Sequence, residues 1–146
     1  MRALLILPLV ALFLATAPVQ AQDRPPQEAP AAIIFDSYDA FISFIDERMM
    51  KRQFGGLMQK MTGGNLTLAQ VQQLTEQARK GFTVDFENVA VMQSEDLENG
   101  FRKEIRAYWT GDRYAYVFVL MHDRGEDLAI LNVGIHVAPA PSLALF

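Results

Sequence analysis

Apolar residues recur along this chain with two different rhythms. Tyr38, Phe41, Ile42, Ile45 and Met49 follow one another at spacings of three, one, three and four. That spacing puts them on one side of an α-helix. Asp36 or Ser37 stands where a cap is needed, and the helix is expected to run to about Gln53. Phe44 falls off the stripe and points to a second contact. Gly55-Gly56 weakens or kinks the helix. Leu57, Met58 and Met61 suggest another turn or two before Thr62-Gly63-Gly64 stops it. Thr67-Leu-Ala-Gln70 is a capping-box pattern: the threonine oxygen accepts one orphan backbone N–H and the glutamine returns to another. The helix it opens carries Leu68, Val71, Leu74 and Ala78 on one face, with glutamines and charges opposite, and Gly81 ends it.

Beyond Gly81 the rhythm shortens to alternation. Val84–Gln93, Phe101–Thr110, Arg113–His122 and Asp127–Val137 read as four strands. Asn99-Gly100 and Gly111-Asp112 are tight hairpin turns, because such turns need positive φ. No connection is long enough for a parallel crossover, so the sheet is an antiparallel meander. A loop at Gly111-Asp112 sets Thr110 opposite Arg113, and a loop at Asp123–Glu126 sets His122 opposite Asp127. Alternation then divides the side chains between two faces. One holds Phe101, Ile105, Ala107, Trp109, Tyr114, Tyr116, Phe118, Leu120, Leu131, Val133, Ile135 and Val137, and is the expected core beneath two helices. The other holds Arg102, Glu104, Arg106 and Tyr108, and also Val117, Val119, Met121, Leu128 and Ile130. A bulge in either hairpin would exchange the faces beyond it.

The expected fold is therefore α+β: two N-terminal helices on a four-stranded antiparallel meander. This element order, with the Asn99-Gly100 and Gly111-Asp112 turns, resembles the cystatin-like α+β roll over roughly residues 36–137. That group includes the nuclear transport factor two-like superfamily. The resemblance implies a pocket between helices and a curved sheet, and dimerisation through the sheet. The group hosts enzymes, binding modules and adaptors, so it does not by itself assign an activity.

The flanks differ in composition. Arg2 precedes an almost wholly apolar run from Ala3 to Ala17, and Val19-Gln20-Ala21 offers small residues at the positions that precede signal cleavage. Residues 1–21 thus read as a cleaved Sec signal peptide, which implies a periplasmic or secreted protein. The run is shorter than the roughly 20 residues of a membrane span, so no stable anchor is expected after cleavage. Residues 22–32, rich in proline, read as a tether. Residues 33–138 form the single domain, and the proline-containing tail 139–146 cannot enter the sheet as a central strand.

Composition removes several classes of function. The 146 residues include no cysteine, which excludes a disulfide scaffold, a zinc ribbon and a cysteine nucleophile. Thirteen basic against 17 acidic residues give a net charge of −4, without the electrostatic footprint of a nucleic-acid binder. No serine sits in a nucleophile elbow, and neither glycine pair forms a phosphate cradle. No cofactor is implied.

The remaining chemistry is sparse. His122 beside Asp123 offers a general acid–base pair, against a plain strand-end histidine. His136 is expected on the opposite face, which rules out a shared metal. Met58 and Met61 lie one helical turn apart and carry thioethers suited to Cu(I), against ordinary gap-filling. Asn88, Trp109, Tyr114 and Tyr116 are candidates to line a ligand pocket on the core face. Val117, Val119, Met121, Leu128 and Ile130 form an apolar patch on the outer face, the kind of surface a second copy or a protein partner covers. The reading is an exported, non-catalytic interaction module that dimerises or binds a protein through its sheet. The alternative is a roll with a small-ligand pocket, or a simple acid–base enzyme.

Overall fold

The computed structural model describes residues 31–146. The proposed signal peptide and almost all of the tether lie outside the described residues.

The chain opens with a short strand, β1 (Ile33–Phe35), and three helices follow: α1 (Tyr38–Met50), α2 (Phe54–Met61) and α3 (Leu68–Gly81). Ser37 caps α1, its hydroxyl accepting the Ala40 N–H at 3.1 Å. Phe41, Ile45 and Met49 on its stripe are wholly buried. The break between α1 and α2 falls at Arg52, whose φ is 55°, rather than at the glycine pair. Arg52 donates to Asp85 (2.6 Å) and to the Phe82 carbonyl (2.9 Å), tying this corner to the segment after α3. Gly55 instead lets α2 and α3 touch: a Cβ there would sit 2.1 Å from the Val71 carbonyl oxygen. The capping box at Thr67 forms as its sequence predicts, with Gln70 N–H donating to Thr67 Oγ1 (3.3 Å) and Thr67 N–H to Gln70 Oε1 (2.8 Å).

Four strands follow: β2 (Asn88–Asp96), β3 (Phe101–Thr110), β4 (Arg113–Asp123) and β5 (Leu128–His136). A short helix, α4 (Pro139–Leu143), closes the chain. The fold is α+β, and the sheet is antiparallel with five strands in the order β1-β5-β4-β3-β2. The fifth strand is β1, whose three residues pair with the first three of β5. Too short to show an alternation, it left no period to read.

The β3–β4 register is the one the Gly111-Asp112 turn demands, from Thr110↔Arg113 to Phe101↔His122. In the next hairpin β4 runs on to Asp123, which pairs with Leu128. Beyond Met121↔Ile130 the pairing slips by one residue, to Leu120↔Asn132. Leu131 is the extra residue of this bulge. It moves Val133 and Ile135 opposite Val119 and Val117, onto one common face.

That common face is the one the helices cover, so the expected faces are exchanged along β3, β4 and the start of β5, while Val133 and Ile135 keep the core side expected of them. Val117 and Val119 are wholly buried, and Met121, Leu128 and Ile130 nearly so, packed with Phe41, Ile45 and Met49 in one core. The five residues expected to form an outer interface are therefore interior. The charged residues of β3 misled the assignment. Of these, Glu104 and Arg106 are buried too, because α1 supplies partners for them.

The opposite face is covered in part by the tail. The ring of Phe146 meets Phe118 edge-on at 6.2 Å, and Lys103 Nζ donates to the Phe146 carbonyl at 3.2 Å. Ile105 and Phe118 on this face are buried.

Candidate functional site

A chain of ionic and phenolic groups runs between α1 and β3. Alternation along β3 sends Arg102, Glu104, Arg106 and Tyr108 to the helix side. Tyr38 and Asp46, eight positions apart on α1, meet them. Glu104 is wholly buried and accepts from Tyr38 Oη (2.8 Å), Arg102 (3.0 Å) and Arg106 (2.9 Å). Arg106 reaches Asp46 with two bonds, at 3.2 and 2.7 Å, and Tyr108 Oη donates to the same carboxylate at 2.6 Å. Two cations face two carboxylates, so the cluster is neutral. Burial, with the hydrogen bond to Asp46, pushes the Tyr108 phenol well above its ordinary value. Burial and the bond to Glu104 raise Tyr38 likewise. Burial alone would lower the Arg106 pKa, but Glu104, Tyr108 and Asp46 more than offset it and hold the guanidinium charged. Sequence reasoning missed this cluster. Its local trace is the run Arg102, Glu104, Arg106, Tyr108, polar groups that alternation sets on one face of the strand.

The expected pocket residues are brought together, on the face away from α1–α3. Trp109 pairs with both Asn88 and Tyr114 across the strands. The planes of Trp109 and Tyr114 lie within 14° at a centroid separation of 6.1 Å, and those of Tyr114 and Tyr116 within 11° at 6.3 Å. Asn88 Nδ2 donates to the Trp109 carbonyl at 3.4 Å. His136 continues the row opposite Tyr116 and leans over Gly134. Tyr114 is 42% exposed. Trp109, Tyr116 and His136 are half-buried. These residues form an open aromatic surface rather than the expected pocket on the core face, with Tyr114 at the rim of a hollow beside Gly81 and Phe82.

His122 stacks on Phe101, with ring centroids 4.0 Å apart, and its Nε2 lies 3.0 Å from the Asn99 carbonyl oxygen. That contact makes the nitrogen a donor to the hairpin turn and takes it away from Asp123. The Leu131 bulge places His136 on the same face as His122, contrary to expectation. The two are still about 20 Å apart, being at opposite ends of the sheet. Met58 and Met61 diverge: Met61 packs against the core, while Met58 lines a groove. Among the described residues, no three His, Cys, Asp or Glu side chains gather as a metal-binding group.

That groove lies on the helix side, where β1 leaves the second half of β5 without a neighbouring strand. Phe54 and Met58 of α2, Leu74 and Ala78 of α3, Phe82, and Val133, Ile135 and Val137 enclose about 370 Å³. Near the buried cluster a smaller hollow of about 230 Å³ is lined by Tyr38, Arg102, Asp96 and Asp123 among others.

No family model, curated protein or solved structure matches the chain.

Proposed function

We propose that the protein is an exported, non-catalytic interaction module of the cystatin-like α+β roll type. It engages a protein partner or a second copy through the sheet face that α1–α3 leave uncovered. The observation that carries this reading is the row Asn88, Trp109, Tyr114, Tyr116 and His136. Rings that combine an apolar body with a polar tip are the side chains that interfaces favour. The buried ionic groups support binding over catalysis, since each is already engaged with another protein group. Export rests on the apolar run and small residues of positions 1–21.

A photo-crosslinking residue at position 114 tests the reading in the intact source cell. A discrete adduct is expected there, and none from the same residue at Gln72, an exposed position on α3. Sedimentation of the purified protein then separates a second copy from a different partner. Equal labelling at both positions, with a monomer in sedimentation, overturns the sheet-face reading.

A second reading, a small-ligand site, is favoured by the apolar groove along β5. It places the ligand at the edge of the helix–sheet interface rather than at its centre, where side chains fill the space.

A further inference from the structure

The groove beside β5 does not end blindly. It shares Gly81, Phe82 and Val137 with a second hollow of about 270 Å³, which adds Asp112, Arg113 and Tyr114. The two adjoin across these residues, and together they form a trough with unlike ends. One end is walled by hydrocarbon and thioether, with Gln77 its one polar side chain. The other holds a guanidinium.

Arg113 reaches this place by register. As the first residue of β4 it shares the helix-side face with Ala115 and Val117, and it donates to the Gly81 carbonyl at 3.3 Å. Among the described residues it forms no salt bridge. Its further N–H donors are free to take a carboxylate. Asp112 is the opposing charge in the hollow and, like Arg113, forms no salt bridge among the described residues.

We propose that this trough binds a medium-chain fatty acid, with its alkyl chain between α2–α3 and β5 and its carboxylate on Arg113. The inference rests on the second reading above, and it shares Tyr114, at the rim of the far hollow, with the aromatic row. Three observations support it. The apolar part falls within the roughly 300–1,000 Å³ of small-molecule sites. Its walls offer almost no polar partner, so a polar ligand would lose hydration there without recompense. The Arg113 guanidinium at the far end can take a carboxylate with charge-assisted hydrogen bonds, which are stronger than those to the neutral oxygen of an ester or alcohol.

Calorimetry on the processed protein tests this with dodecanoate below its micellar range, and with dodecanol as the uncharged analogue. Dodecanoate is expected to bind at one equivalent. Arg113→Gln should weaken it about tenfold, the loss of one charge-assisted contact, and leave dodecanol unchanged. Val137→Asp is a second probe at the junction of the two hollows. Val137 is 77% exposed, so the fold tolerates the change, and the new charge should repel dodecanoate selectively. Leu74→Trp should block both ligands by filling the groove. If Arg113→Gln and Val137→Asp leave dodecanoate affinity unchanged while Leu74→Trp abolishes it, the fatty-acid assignment fails and a small-ligand groove stands. If neither probe binds, or dodecanoate enters only after a dimer is dissociated, the assignment fails together with the reading beneath it.

Discussion

Removing one charge from the α1–β3 cluster should cost far more than removing two. Glu104→Met leaves Arg106, whose side chain is 7% exposed, with Asp46 as its sole anionic partner. Arg106→Met leaves the wholly buried Glu104 carboxylate with Tyr38 and Arg102. Breaking a buried pair from one side costs about 3–5 kcal/mol, because the survivor stays desolvated and underpaired. The double variant buries two thioether side chains in place of two charges. Asp46, a quarter exposed, keeps the Tyr108 hydroxyl, and Arg102, a third exposed, turns to water. Replacing both partners by apolar groups is commonly close to neutral, so the double variant should lie within about 2 kcal/mol of the parent. The coupling in the cycle is then about 4 kcal/mol or more. Urea unfolding followed by the fluorescence of Trp109, the single tryptophan, gives all four free energies. A domain in the middle or upper part of the usual range of about 5–15 kcal/mol survives the single changes. Single costs below 1 kcal/mol, or costs that simply add, would show that Glu104 and Arg106 face water and that the helices cover the other side of the sheet.

Two further perturbations bear on the same packing. Gly55→Ala should destabilise by about 1–3 kcal/mol, because the new methyl meets the Val71 carbonyl at 2.1 Å and the α2–α3 contact must open. Gly56→Ala, with open space at its Cβ, should be neutral or stabilise by up to about 1 kcal/mol, and equal melting temperatures for the two variants would refute the close approach. Stability should also decline in alkali. Tyr108 and Tyr38 hold their protons in the fold beyond the value of about 10 at which the unfolded chain releases them, so their contribution is intact below that pH and is lost as pH rises toward the folded values. Thermal melts from pH 8 to 11 should show this decline, shallower in Tyr108→Phe, and a flat profile would contradict the buried placement of these phenols.

Local features of this chain were decided by local sequence. Ser37 and Thr67 cap because their oxygens reach N–H groups three residues on, whatever the rest of the molecule does. The Phe41, Ile45, Met49 stripe needs only the helical period. The β3–β4 register follows from a two-residue loop at Gly111-Asp112, since pairing on either side of so short a turn has one solution. Asn99 and Gly100 both adopt positive φ, as the hairpin signal requires. These facts were enough for an α+β chain with an antiparallel sheet, and for Asn88, Trp109, Tyr114 and Tyr116 to be grouped together.

Which face of the sheet meets the helices was not decided locally. Alternation separates two sets of side chains but does not say which is inside, and polarity favoured the wrong one. Glu104 and Arg106 can be buried only because Tyr38 and Asp46 arrive from a helix some 60 positions earlier in the chain. That pairing exists in three dimensions alone. The Leu131 bulge likewise inserts one residue with no marker in the sequence, yet it moves Val133 and Ile135 into the core and His136 to the far side. The trough follows from both. Arg113, Phe82 and Val137 share no motif, and they line one cavity because the end of α3 lies over the corner where β4 begins and β5 ends.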